Sequence, residues 1–303
     1  MTTEDISPRY LDFDLWENLE ALKALYEGQL AAVSTVGPAL PFIAHAVDDA
    51  VPRLRRGGRL IYAGAGTSAR IGVQDGVELT PTFNWPQSQL GFAMAGGENA
   101  FTQAIENAED SSAGGAARIK ELNVEANDVV IGLAASGNTP FTVAAIKAAK
   151  QAGALTIGIA NNPGSQLLSL SDHGILVDTG EEVIAGSTRM KAATAQKVVL
   201  NLFSTMAMVR LGKVYRGLMV HMRATNEKLR RRSMHMVATI TGADDAVVAE
   251  AVTEADGDIK LASLIACGAS KAQAETLLKK HDSNLRFALA ELAPKQSALK
   301  KSS

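Results

Sequence analysis

The sequence predicts an α/β chain: a three-layer, doubly wound sandwich on a five-stranded, mostly parallel sheet, with a helical N-terminal segment and a small helical C-terminal module. Three observations predict it. Short unbroken apolar runs alternate with helical stretches through the middle of the chain. Strands that are apolar throughout, without in/out alternation, must be covered on both faces, which is the habit of parallel sheets. After residue 177 no such run returns, and the remaining sequence keeps a helical period.

Taken in order, Leu15, Leu19, Leu22 and Leu25, then Val33, Val36, Ile43, Val47, Val51 and Leu54, recur at three-to-four spacing with Gly37-Pro38 between them. That spacing predicts two helices separated by a turn. The five strands are expected at 60–63, 90–95, 129–133, 155–160 and 174–177. Residues 192–209 form a long apolar helix that should be buried, and 218–238 a second helical run. The tail repeats itself at an offset of 26, so that Gly242 matches Gly268, Ala246 matches Ala272, Asp256 matches Asp282 and Ala262 matches Ala288. Each copy reads as helix, turn, helix, and the closing KQSALKKSS as a frayed end. The expected organisation is an N-terminal helical segment over 1–56, a ligand-binding α/β domain over 57–215 and a helical region over 216–303.

With 303 residues, 47% of them apolar, the chain can bury a large core. A formal charge of -2 gives no global attraction to nucleic acid or anionic lipid, so a small-molecule partner is expected, with no nucleic acid and no membrane. Cys267 is the single cysteine, which excludes an internal disulfide and fits a reducing, cytoplasmic setting. The first residues are acidic and lack the basic start and apolar run of an export signal. The five histidines show no close metal-ligand spacing, so neither a metal nor a cofactor is expected. Arg230-Arg231-Arg232 reads as a solvated helix face.

Two turns stand out chemically. The first strand runs into Gly64-Ala65-Gly66-Thr67-Ser68-Ala69, a glycine turn with hydroxyls opening a helix. Free backbone N–H groups and the helix dipole make such a place attractive to anions. The third strand repeats the device in Ser136-Gly137-Asn138-Thr139-Pro140. Ligands of open α/β sheets bind beyond the carboxyl ends of the strands, so both turns can face one phosphorylated ligand. The first turn has no third glycine where a dinucleotide fingerprint needs one, which sets NAD aside.

These turns, with GRLIYAGAGTSARIG, Asp75-Gly-Val-Glu78, AGGENA, AIENAEDS, DVVIGLAASGNTP, NNPGS, GSTRMKAATAQ and ATNEKL, resemble the sugar isomerase (SIS) domain and, more narrowly, the N-acetylmuramic acid 6-phosphate etherases, to which the glucokinase regulatory protein is related. The match is continuous from about Gly58 to Leu229. The resemblance implies a lyase that removes the D-lactyl ether of N-acetylmuramic acid 6-phosphate by elimination and rehydration. The products would be N-acetylglucosamine 6-phosphate and D-lactate, a step of cell-wall sugar recycling. It places Glu78 and Glu109 at the acid/base positions, with Glu78 assigned as acid and Glu109 as base, although the residues alone do not order the two roles. Gly66, Thr67, Ser68, Ser136, Gly137, Asn138 and Thr139 would bind the phosphosugar. Glu182, in a segment like the E-x-x-x-GS pattern of sugar isomerases, and Ser187 would join them. A phosphosugar isomerase and a non-catalytic phosphosugar-sensing regulator are the alternatives.

A distance argument adds an expectation about assembly. If one unbroken helix joins Ser68 to Glu78, ten steps of about 1.5 Å separate them by about 15 Å, more than one hexose spans. Either the helix breaks, or two subunits share the site. A homodimer with composite sites is therefore expected.

Overall fold

The computed structural model describes residues 2–103, 105–221 and 227–299, the side chains of Lys228 and 294–299 excepted. The first half of the ATNEKL segment, Ala104 and the last residues of the tail lie outside the described residues. The chain divides into two compact units, Met1–Glu78 with Pro86–Thr205, and Leu79–Trp85 with Met206–Ser303.

The first unit opens with helices α1 (Asn18–Ser34) and α2 (Leu40–Arg55), parted by a short turn at Gly37–Ala39. Strand and helix then alternate: β1 (Leu60–Gly64), α3 (Gly66–Phe83), β2 (Leu90–Met94), α4 (Ser112–Glu121), β3 (Val129–Ala134), α5 (Pro140–Gln151), β4 (Leu155–Ala160), α6 (Gln166–Leu170), β5 (His173–Leu176) and α7 (Lys191–Arg210), the last residues of α3 and α7 being counted with the second unit. The strands lie in the order β2-β1-β3-β4-β5, and every pairing is parallel. This is the doubly wound sheet that the sequence predicts. The central strands β1, β3 and β4 are buried along their whole length, which is why they read as unbroken apolar runs.

The two faces are covered differently. Ile61, Ala63, Val130 and Ala134 pack against α4, α5 and α6 through Ile119, Ala145, Ile146 and Leu167. Gly132, Gly158 and Gly174 stand in register across β3, β4 and β5. A methyl group on Gly132 would lie 2.7 Å from Ile146, and one on Gly158 2.6 Å from the Leu167 carbonyl, so this glycine row lets the helices settle onto the sheet. On the other face Tyr62 stacks with Phe92, ring centroids 5.9 Å apart, and α3 lies over both. A Cβ on Gly76 would come within 2.9 Å of both rings. Close approach here requires glycine.

Residues Asn18–Arg55 are together apolar enough to meet a length-and-composition test for a membrane span. The two helices nevertheless behave as parts of the folded unit. α2 buries Ile43, Ala46, Val47, Ala50, Val51 and Leu54 and lies against β3, β4 and β5. α1 is inverted: its buried positions are the small Ala24, Gly28 and Ala32, whereas Leu19, Leu22, Tyr26, Leu30 and Val33 are exposed.

In the second unit a two-stranded hairpin, β6 (Val214–Tyr215) and β7 (Leu218–Met219), precedes α8 (Glu227–Thr241). The helix expected over 218–238 is corrected at its start. Arg216 and Gly217 both have positive φ, 47° and 79°, and two successive left-handed residues close a hairpin that no helix tolerates. The repeat becomes α9 (Asp245–Glu254), α10 (Ile259–Ala266), α11 (Lys271–Lys280) and α12 (Leu285–Leu299). Matching positions share backbone conformation: φ is 68° and 90° at Gly242 and Gly268, and 50° and 48° at Asp256 and Asp282. Val248, Ala251, Ala262, Leu264, Ala274, Leu277 and Ala288 form the common core. Within it Lys260, 1% exposed, donates a 2.8 Å hydrogen bond to the Ser283 carbonyl. Burial, with Lys213 nearby, lowers the Lys260 pKa to about 8.

Candidate active site

A cleft of about 470 Å³ opens within the first unit at the carboxyl ends of β1 and β3. Ala65, Gly66, Thr67 and Ser68 line one side, and Ser136, Asn138, Thr139 and Pro140 another. The two hydroxyl-bearing turns thus face a single space. The order β1-β3 at the sheet centre makes their loops neighbours, and the helices that follow, α3 and α5, start at the cleft.

Each turn has a physical reason to be built this way. Gly66 takes φ 52° to swing the chain from strand to helix, leaving the first-turn N–H groups of α3 toward the cleft. Gly137, at φ 67°, is locked by its surroundings, because a Cβ would fall 2.1 Å from the Ser165 hydroxyl. The Gly137 carbonyl accepts from the Leu167 N–H at 2.9 Å, and the Asn138 carboxamide oxygen accepts from the Gln166 N–H at 3.0 Å. The start of α6, with Ser165 before it, therefore buttresses the turn from behind, and Asn138 spends its side-chain oxygen on that task. Thr139 precedes α5 without capping it; its hydroxyl, like those of Thr67 and Ser68, makes no hydrogen bond among the described residues. These hydroxyls are available to a ligand.

Glu109 and Asp110 border the same cleft. They lie on a short helical turn, Ala108–Asp110, entered through Asn107 in the left-handed conformation at φ 59°. The Ser111 hydroxyl then caps α4 by accepting from the Gly114 N–H at 3.0 Å. Arg70, one turn into α3, donates to the carbonyls of Ala100 and Gln103 and so ties the preceding loop to the helix. The exposed Glu109 carboxylate is thus carried by an anchored loop.

Glu78 is placed elsewhere. α3 runs without a break from Gly66 to Phe83, so Glu78 lies about 15 Å along the axis from Ser68. It is exposed, beside exposed Val77, and does not line the cleft. One turn earlier, Asp75 holds the helix down. It is 4% exposed and accepts from the Tyr62 hydroxyl at 2.9 Å, the Asn201 amide at 2.9 Å and the Ser204 hydroxyl at 3.0 Å. Burial raises its pKa against the pull of these bonds, and burial beside Asp75 drives the Tyr62 phenol well above its usual range. This knot joins β1, α3 and α7 and fixes the direction in which Glu78 projects.

Glu182 has a different job from the one expected of it. It is fully buried, and its two carboxylate oxygens accept the backbone N–H groups of Lys191 and Ala192, both at 2.9 Å. A carboxylate at a helix N-terminus satisfies free donors and complements the dipole. Glu182 therefore anchors α7, and Gly186 and Thr188 line the cleft where Ser187 does not. The Lys191 ammonium donates to the Glu181 carbonyl. Glu4 is a cleft residue that the sequence reading missed. It lies outside the 58–229 stretch that carries the resemblance, and only chain folding brings it there. Among the described residues no group of three or more His, Cys, Asp or Glu side chains is gathered where it could hold a metal ion.

A parallel sheet carrying two hydroxyl-rich turns at its carboxyl edge defines a phosphosugar-binding protein of the SIS class. The SIS domain model matches residues 106–206, and the model of the glucokinase regulatory protein N-terminal SIS domain matches 42–150. Among solved structures, a phosphoheptose isomerase from Francisella tularensis superposes with a TM-score of 0.52 at 20% identity, covering 64% of this chain and 100% of its own, a likeness of fold. Curated relatives are much nearer. The N-acetylmuramic acid 6-phosphate etherase of Deinococcus radiodurans is 49% identical over 260 residues, 86% of this chain and 85% of its own. That of Streptomyces avermitilis is 45% identical over 291 residues, 96% and 94% of the two chains. This chain belongs to the N-acetylmuramic acid 6-phosphate etherase family.

Proposed function

We propose that the chain is a carbon–oxygen lyase acting on N-acetylmuramic acid 6-phosphate and serving cell-wall sugar recycling in the cytoplasm. The observation that carries this reading is the convergence of both hydroxyl turns and Glu109 on one cleft. The turns take the phosphate of the substrate. In the open-chain sugar the aldehyde acidifies the hydrogen on carbon 2, and Glu109 removes it. The electron pair left at carbon 2 forms the new double bond as the ether oxygen leaves carbon 3, protonated by Glu78 as D-lactate departs. Water then adds to carbon 3, giving N-acetylglucosamine 6-phosphate. The atoms balance as substrate plus water, and the scheme calls on no cofactor.

The two acids belong to different subunits in this reading. Glu78 is too far along α3 to serve the cleft of its own chain, so a second copy supplies it. The inverted helix α1 supports a homodimer. Five large apolar side chains lie exposed along one face of α1, and Val77 is exposed beside Glu78; exposed apolar faces of this kind mark interfaces. The Thr67, Ser68 and Thr139 hydroxyls complete the ligand contacts; Ser187, expected among them, stands outside the lining of the cleft.

Incubation of the purified protein with N-acetylmuramic acid 6-phosphate should release D-lactate, with oxygen from labelled water appearing at carbon 3 of the sugar. Label in lactate instead would refute elimination. Binding of the sugar phosphate with no lactate released would replace the lyase by a sensor.

A further inference from the structure

Residue Thr3 is wholly buried although its neighbours Thr2, Glu4 and Asp5 are exposed. Its N–H donates to the Asn162 side-chain oxygen at 3.1 Å, its hydroxyl accepts from the Asn162 amide at 3.2 Å, and its carbonyl accepts from the Gly186 N–H at 2.9 Å. These three bonds fasten the N-terminus to the Asn162 loop and to the Gly186 loop, the second of which lines the cleft. Thr2 and Asp5 close a turn around the same point, with the Asp5 carboxylate accepting from the Thr2 N–H at 2.7 Å and from its hydroxyl at 3.1 Å. At the apex, Glu4 faces the cleft over Gly186, where an added Cβ would stand 2.9 Å from its Oε2. The Glu4 carboxylate has no cationic partner among the described residues. Its contact with the Thr3 hydroxyl, at 3.5 Å, is too long to hold it.

We propose that Glu4 is a substrate-contacting residue, which accepts a hydrogen bond from a hydroxyl or amide N–H of the sugar chain and so separates sugar phosphates from phosphate alone. The proposal rests on the phosphosugar reading of the cleft and adds to it a specificity element supplied by the N-terminus. Charge decides which part of the ligand Glu4 meets. A carboxylate repels the phosphate dianion, which belongs with the N–H groups and hydroxyls of 66–68 and 136–139. The sugar chain offers neutral donors, and a hydrogen bond to an ionised acceptor is the stronger kind. A site built to pair a donor also rejects a ligand that lacks it, because the acceptor is then left without its partner.

The test uses the full-length protein and its Glu4→Ala and Glu4→Gln variants, titrated calorimetrically with N-acetylglucosamine 6-phosphate and, separately, with inorganic phosphate. Glu4→Ala should weaken sugar-phosphate binding by about tenfold or more, leave phosphate binding unchanged or slightly tighter, and keep the wild-type melting temperature. Glu4→Gln, which retains an acceptor oxygen, should recover part of the loss. In turnover, KM should rise more than kcat falls. Equal losses for phosphate and sugar phosphate would overturn the proposal, as would unaltered sugar-phosphate affinity. The two readings fail separately. A wild-type protein that binds the sugar phosphate without releasing lactate would end the lyase reading, while the Glu4 comparison would still be decided by binding.

Discussion

Two acid-bearing stretches of the first unit solve opposite problems. Around 75–78 the backbone is a regular helix, and rigidity comes from the buried Asp75 knot beneath it. Around 105–111 the backbone is irregular, and rigidity comes from the left-handed Asn107, the Ser111 cap and the Arg70 ties. The irregular stretch reaches into its own cleft, whereas the regular one projects Glu78 away from it. A straight helix leaving the 66–68 turn carries its later residues outward, which is why the proposed composite site draws Glu78 from a second copy.

The sharpest way to break this comparison is to remove each acid. Glu109→Gln should lower kcat on the order of 10³-fold, as loss of a general base does, with sugar-phosphate affinity nearly retained in calorimetry. Glu78→Gln should be comparably damaging alone. Mixing the two inactive variants under conditions that exchange subunits should restore about a quarter of wild-type activity, because half the dimers are mixed and each has one intact composite site. No recovery, with subunit exchange demonstrated by mass spectrometry, would place both acids in one chain.

Smaller effects sharpen the structural half of the comparison. Asp75→Ala leaves three buried donors without their acceptor and should cost about 2–4 kcal/mol in chemical denaturation, while Glu78→Gln should leave stability unchanged. Equal stability of the two variants would contradict the division of labour between knot and acid.

Lys260 in the second unit gives a pH effect of known sign. Its folded pKa, about 8, lies below the ordinary 10.5, so between these values the unfolded chain holds more protons than the folded one. Stability contributed through this group therefore rises as pH increases from about 8 to 10.5, by on the order of 1–3 kcal/mol. Lys260→Met should flatten that rise in denaturation measured across the window.

Several features were legible in the sequence because they depend on local chemistry. The runs 60–64 and 129–134 are apolar throughout because both faces are covered, and Gly66 and Gly137 sit where the backbone needs positive φ. The repeat was legible because the same left-handed positions recur at the same offset. Other features depend on what a residue meets. The stretch 218–238 has helical spacing throughout, yet Arg216-Gly217 turns its beginning into a hairpin. Glu182 carries the appearance of a site acid, but the free N–H groups of α7 claim both its oxygens. Glu4 belongs to no motif and enters the cleft only through Thr3, bonded to Asn162 some 159 positions away.

By itself the sequence determined the parallel sheet, the two hydroxyl turns and the residue types available for proton transfer. Periodicity, glycine placement and helix-opening hydroxyls act over a few neighbouring residues, so composition and spacing are enough to reveal them. Only the tertiary structure decided which carboxylate borders the cleft, which caps a helix and which lies exposed away from both. A carboxylate's role is set by the donors and charges that folding brings to it, and most of those come from distant parts of the chain.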